Sequence, residues 1–146
     1  MKKIVLLLAM MLITAPAFAA GKYASVDVDK ILNGYSKTKS LNTNFQKQEA
    51  DIRVYMLDAQ KKVVSAKTDA ERKALEEKYG KELQTKMETI QKAKLEALKG
   101  LEVDVKAAIQ SVGKSGSYDL IMPSTAAFYG ATDISDQVIK VLNTKK

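Results

Sequence analysis

Two aspartates, Asp27 and Asp29, stand two residues apart in YASVDVD near the start of the chain. On an extended strand an i,i+2 pair shares one face, the placement two carboxylates would need for acid–base work. No partner base or metal motif accompanies them. The chain has no histidine and no cysteine, so it lacks an imidazole base, a thiolate nucleophile and the ligands of an ordinary zinc site. Carboxylate-only catalysis would need a convergent polar pocket, and no motif here builds one. The pair is read as solvent-facing or capping. No cofactor and no metal are expected, and the chain is not expected to be an enzyme.

The elements that would carry any other function are mostly helical. From Ser36 to Lys67, Leu41, Phe45, Gln48, Ile52, Tyr55, Ala59, Val63 and Ala66 recur at spacings of three and four. Thr68 followed by Glu71 is a capping-box pattern, so a chain reversal is expected at 65–69 and a second helix over 69–112. Leu75, Tyr79, Leu83, Met87, Ile90, Lys94, Ala97, Leu101, Val105, Ala108 and Val112 continue the stripe. Acid-before-base pairs such as Glu77/Lys81 and Glu82/Lys86 each support an exposed helix by about 0.2–0.5 kcal/mol. Gly80 and Gly100 each cost about 1 kcal/mol relative to alanine. The expected product is a long antiparallel helical hairpin, a coiled-coil-like arm over 36–112 with its tip near 65–69.

The flanks follow other rules. YASVDVD alternates Ala24, Val26 and Val28 against Ser25, Asp27 and Asp29, which predicts a strand over 23–29. One helical turn follows at 30–33, with a break at Asn33-Gly34. After the glycines of GKSGSYD, a strand is expected over 118–122, a turn at Pro123-Ser124-Thr125, a second strand over 126–129 and a short helix over 134–142 capped by Asp133. The fold class is therefore α+β, mostly α. The body, 20–35 and 113–146, has too few apolar groups for a self-sufficient core, and its sheet would have open edges. Several chains pooling strands into one shared β body would resolve both problems.

Lys2 and Lys3, the apolar run from Ile4 to Ile13 and Ala17-Phe18-Ala19 form the pattern of a secretory signal peptide over 1–19, cleaved after about Ala19. The run is shorter than the roughly 20 residues that span a bilayer. The expected location is the periplasm, where an absence of thiols suits the oxidising conditions. Taking Lys2 and Lys3 from the 24 basic residues leaves 22 against 17 acidic, a net charge of +5. Residues 37–112 carry 16 basic and 12 acidic side chains. That near balance, with the secretion signal, argues against nucleic acid as a partner.

ASVDVDKIL and YDLIMPSTAAFYGATDISDQVIKVL carry a resemblance to the Skp (OmpH-like) family of periplasmic chaperones. The first stretch resembles the family's opening strand and turn. The second resembles its closing pattern, at Asp119, Leu120, Tyr129, Asp133, Ile134, Ser135 and Val138. The likeness covers the whole mature sequence. It implies a homotrimer in which three arms leave one body and, without ATP, hold unfolded outer-membrane β-barrel proteins between them.

On that footing, Met56, Leu57, Val64, Met87 and Leu98 are the candidate client contacts on the arms, where flexible methionine suits promiscuous binding. Lys61, Lys62, Lys67, Arg72 and Lys73 form a candidate electrostatic tip for clients, anionic lipid or a lipopolysaccharide surface. Val26, Val28, Tyr118, Leu120, Met122, Phe128, Tyr129 and Val138 are the candidate trimer-body residues. A second reading is a structural envelope coiled-coil protein that binds a folded partner or the membrane surface.

Overall fold

The first strand is shorter than its alternation predicts, because Asp27 ends it. Its carboxylate accepts a hydrogen bond from the Lys30 amide at 2.9 Å and caps a helix, as N-terminal aspartates do. In the computed structural model, which describes residues 21–144, β1 is Tyr23–Val26 and α1 is Val28–Gly34. Val28, expected on the strand, stands in the first turn of α1 and is 45 % exposed. The signal-peptide reading falls on residues 1–19, outside the described residues.

A one-residue break at Tyr35 separates α1 from α2, Ser36–Val64. After a tight reversal, α3 runs from Asp69 to Ser115. The reversal is held by the capping box. Thr68 Oγ1 accepts from the Glu71 amide at 3.1 Å, and Glu71 Oε2 accepts from the Lys67 amide at 3.0 Å. Contacts between Tyr55 and Glu82, Glu49 and Lys94, and Lys37 and Asp104 run in opposite directions along the two helices, which sets them antiparallel. At 1.5 Å per residue, α2 is about 44 Å long and α3 about 70 Å. The surplus of α3 runs on into the body.

The chain then forms β2 (Leu120–Pro123), a 3-10 turn (Ser124–Ala126), β3 (Thr132–Asp133) and α4 (Ser135–Thr144). The sheet is parallel, with β1 between β2 and β3. Tyr23 pairs with Leu120 and Ala24 with Ile121. One face of this sheet packs on helices. Ala24 and Val26 join Ile31 and Tyr35, Leu101, Val105, Ala108 and Val112 of α3, and Ile134, Val138 and Leu142 in a single buried cluster. Leu101 to Val112 thus pack against the strands and α4 rather than only against α2.

The second strand expected over 126–129 does not form. β2 and β3 flank β1 on opposite edges and point the same way, so the chain between them must cross β1 to reach its other edge. Ser124 to Ala131 makes that crossing with a 3-10 turn and Gly130 at φ 83°, in the left-handed region glycine favours. Asp133 starts α4 by accepting from the Ser135 amide at 2.8 Å and from its hydroxyl at 2.5 Å.

Candidate functional site

Asp27 is engaged as a helix cap, and Asp29 lies exposed in the same first turn. Among the described residues, no group of three His, Cys, Asp or Glu side chains is placed to hold a metal ion. No helix among them is long and apolar enough to cross a membrane. The sites with binding potential are the flank of the arm and the open face of the body.

The arm's stripe is only half closed. Two long helices touching along one stripe leave the flanking residues wet. Between Ala59 of α2 and Leu101 of α3, which are buried, the stripe residues are half-buried, with Met87 exposed. On one flank, Leu41, Phe45, Ala97, Leu98 and Leu101 line a groove of about 340 Å³, and Ile52, Met87 and Ile90 line its continuation of about 320 Å³ toward the tip. Glu49 and Lys94 belong to both stretches and divide them. Their ion pair is 2.6 Å long, and the ammonium sits 5.7 Å from the Phe45 ring centroid.

Met87 and Leu98 are therefore brought to one side of the arm, 52 % and 63 % exposed. Met56, seven residues from Glu49, shares its helical face and is 49 % exposed. Leu57 and Val64 are still more exposed but line neither stretch of this groove. Val54, Leu95 and Val103 are further exposed apolar residues on the helices. They were not among the residues singled out from the sequence.

Toward the tip the arm carries an aromatic and cationic cluster. Tyr55 and Tyr79 meet edge to face with centroids 6.0 Å apart, Lys86 lies over Tyr55, and Lys62 and Lys78 lie over Tyr79. Tyr55 donates a short hydrogen bond to Glu82. Loss of solvent between the helices, then this bond, pushes the Tyr55 phenol up to about 12. The basic residues expected at the tip are spread out. Lys61 stands 4.0 Å from Asp58 and Arg72 3.1 Å from Asp69, while Lys67 and Lys73 are exposed. Lys61 and Lys62 also lie in the last turn of α2, where cations complement the helix dipole.

The body presents a second face. Tyr23 and Leu120, register partners on adjacent strands, point away from the core and are 47 % and 49 % exposed. Met122 follows on the same face, half-buried. In the crossing loop Phe128 and Tyr129 are almost wholly exposed. Val26 and Val138, by contrast, are buried within the chain's own core, and Val28 projects from α1. Tyr118 packs at the core's margin beneath the Lys22 ammonium, 4.5 Å from its ring.

A family model described as "Outer membrane protein (OmpH-like)" matches residues 22–142. Among solved structures, a candidate outer membrane chaperone (OmpH-like) from Caulobacter crescentus CB15 is 14 % identical. The match covers 88 % of this chain and 87 % of that one, at a TM-score of 0.46. No curated protein matches the sequence.

Proposed function

The chain belongs to the OmpH-like outer membrane protein family, and we propose that it is an ATP-independent periplasmic holdase for unfolded outer-membrane β-barrel proteins. The observation that carries this reading is the open flank of the arm. Met87 and Leu98, each more than half exposed, stand beside Phe45 and Ile52 in a shallow, elongated groove. Such a surface suits no single small ligand. It suits an extended chain that presents apolar side chains one after another. Each contact is weak, and methionine adapts to different shapes. Many such contacts together hold a client, and their individual weakness leaves it releasable.

The body supplies the means of gathering arms. Tyr23, Leu120 and Met122 on the open sheet face, with Phe128 and Tyr129, form an apolar surface that a monomer leaves in water. Copies of the same chain covering it would bring three arms around one space, the homotrimer that the family resemblance implies.

The test is native mass spectrometry of the secreted form, Ala20 to Lys146, mixed with a urea-unfolded outer-membrane β-barrel at dilution. Three chains with one client is the expected species. The double variant Met87→Ser, Leu98→Ser should keep the trimer and lose most of the client-bound peak, since both side chains are exposed in the free arm. A trimer that ignores the client while the client precipitates overturns the holdase reading in favour of a structural envelope protein that binds folded partners.

A further inference from the structure

The arm meets the body in two different ways. On one side α3 passes from the arm into the core without a break, with Leu101, Val105, Ala108 and Val112 buried against the strands and α4. On the other side α2 is joined to α1 through a single extended residue, Tyr35 at φ −81°, ψ 119°. The α3 strut is continuous, and α2 is hinged.

That hinge has no cap of its own. A helix start leaves backbone N–H groups without partners, and Tyr35, at the capping position of α2, offers no side-chain acceptor. The missing acceptor comes from Asn143, near the end of α4 and 107 residues along the chain. Asn143 Oδ1 accepts from the Ser36 amide at 2.9 Å and from the Ser36 hydroxyl at 2.7 Å. Its Nδ2 donates to the Gly34 carbonyl at 3.0 Å. One planar amide therefore ties the last carbonyl of α1 to the first amide of α2, across the hinge. The partners leave it no freedom to turn over, because two donors lie on one side and a carbonyl on the other.

The packing around it keeps the amide in reach. A Cβ on Gly34 would come within 2.7 Å of Ile139 Cδ1, so glycine lets α1 lie this close to α4 without displacing that side chain. The opposite side of the hinge is tied to α3. The buried Tyr35 donates from its hydroxyl to Asp104 at 3.1 Å, and Lys37 donates to the same carboxylate at 2.7 Å.

We propose that Asn143 is a positioning residue, a latch by which the C-terminal helix sets the pitch of α2 relative to the body. The role needs both halves of the amide. An acceptor alone would cap α2 but would not hold it to α1. The proposal does not depend on what the arm binds, and its test contains no client.

The chain has no cysteine, so spin labels can be placed at Gln60→Cys on α2 and Lys106→Cys on α3 alone, in labelled chains diluted into unlabelled ones. Pulsed dipolar spectroscopy then reads the spread of the α2–body distance, and amide exchange reads the cap at Ser36. Asn143→Ala should broaden the distance distribution and speed Ser36 exchange roughly five- to tenfold, the loss of one helix cap. Asn143→Asp keeps the acceptor and loses the donor, so it should hold Ser36 exchange slow and still broaden the distances. A wild-type distribution in either variant overturns the latch, and in Asn143→Asp it reduces the residue to a cap. Should Asn143→Ala fail to fold, Asn143→Asp carries the test by itself, since a wild-type distance distribution in that variant overturns the latch.

Discussion

Lys94 Nζ on α3 lies 2.6 Å from Glu49 Oε1 on α2, at a point where the helical spacing calls for an apolar side chain. The two side chains are 41 % and 44 % exposed, so water competes with the pair and it ties the helices only weakly. The lysine ammonium also lies over the Phe45 ring, 5.7 Å from its centroid. The seam is thus joined at its middle by a contact that opens at low cost, within a stripe that is otherwise half wet.

The pair gives the arm an acid limit. Lys94, through its hydrogen bond and then its charge, holds the Glu49 carboxyl below its ordinary value of 4.5. A depressed carboxylate stabilises the fold above its unfolded pKa, and the effect is lost as pH falls through the folded value. The urea midpoint of the wild type should therefore drop more steeply below about pH 4.5 than that of Glu49→Gln. Superimposable acid limbs would mean that the pair is not formed in solution.

At the alkaline end the sign reverses. The Tyr55 phenol is raised to about 12 from its ordinary 10.0, so between these values the unfolded chain loses a proton that the native arm keeps. Stability should fall with rising pH across that window, and Tyr55→Phe should remove this part of the slope. Absorbance titration near 295 nm offers an independent check, as one tyrosine should ionise late in the wild type and be missing from the variant.

Gly80 and Gly100 sit inside α3 with nothing within 4 Å of the position of an added Cβ. Among the described residues, neither is there to let another segment approach. Alanine at either site should stabilise the protein by about 0.5–1 kcal/mol, the helical cost of glycine removed. If the glycines keep the arm pliable, the double variant should also capture unfolded clients more slowly in stopped-flow measurements. A gain in stability with unchanged capture would assign them no role in motion.

The helices were legible because a three-and-four spacing repeated over some thirty residues states the same thing many times, and because Thr68 and Glu71 mark the turn. What that spacing does not carry is the identity of the partner. Leu101, Val105, Ala108 and Val112 continue the arm's stripe without a change of rhythm, yet they pack on strands and α4. The strand errors have the same origin. Val28 fits an alternation that Asp27 has already ended. Ala126 to Tyr129 looks extended, but pairing depends on which edge of β1 is free, a property of the whole sheet. The open flank was half visible, in that Met87 and Leu98 could be named, whereas the Glu49–Lys94 division between them could not. Asn143 gave no signal, since a single polar residue at a helix end has no period.

Phe128 and Tyr129 set the last test, because their burial can come only from outside the described chain. They are 100 % and 99 % exposed, in a loop turned by Gly130, near the end of a sheet whose open face carries Tyr23 and Leu120. Replacing both by serine removes no contact from the single chain, so thermal unfolding of dilute protein, where monomer prevails, should be unchanged. Aromatic anchors dominate protein interfaces, typically at 2 kcal/mol or more apiece, so a trimer built on this face should weaken by at least about thirtyfold per interface, the loss of one such anchor. Sedimentation velocity over a range of concentrations reads this directly, with the wild type moving from monomer to trimer and the double variant staying monomeric far longer. Should the variant assemble like the wild type, the aromatic pair lies outside the interface, and client contact becomes the better account of two rings held in water.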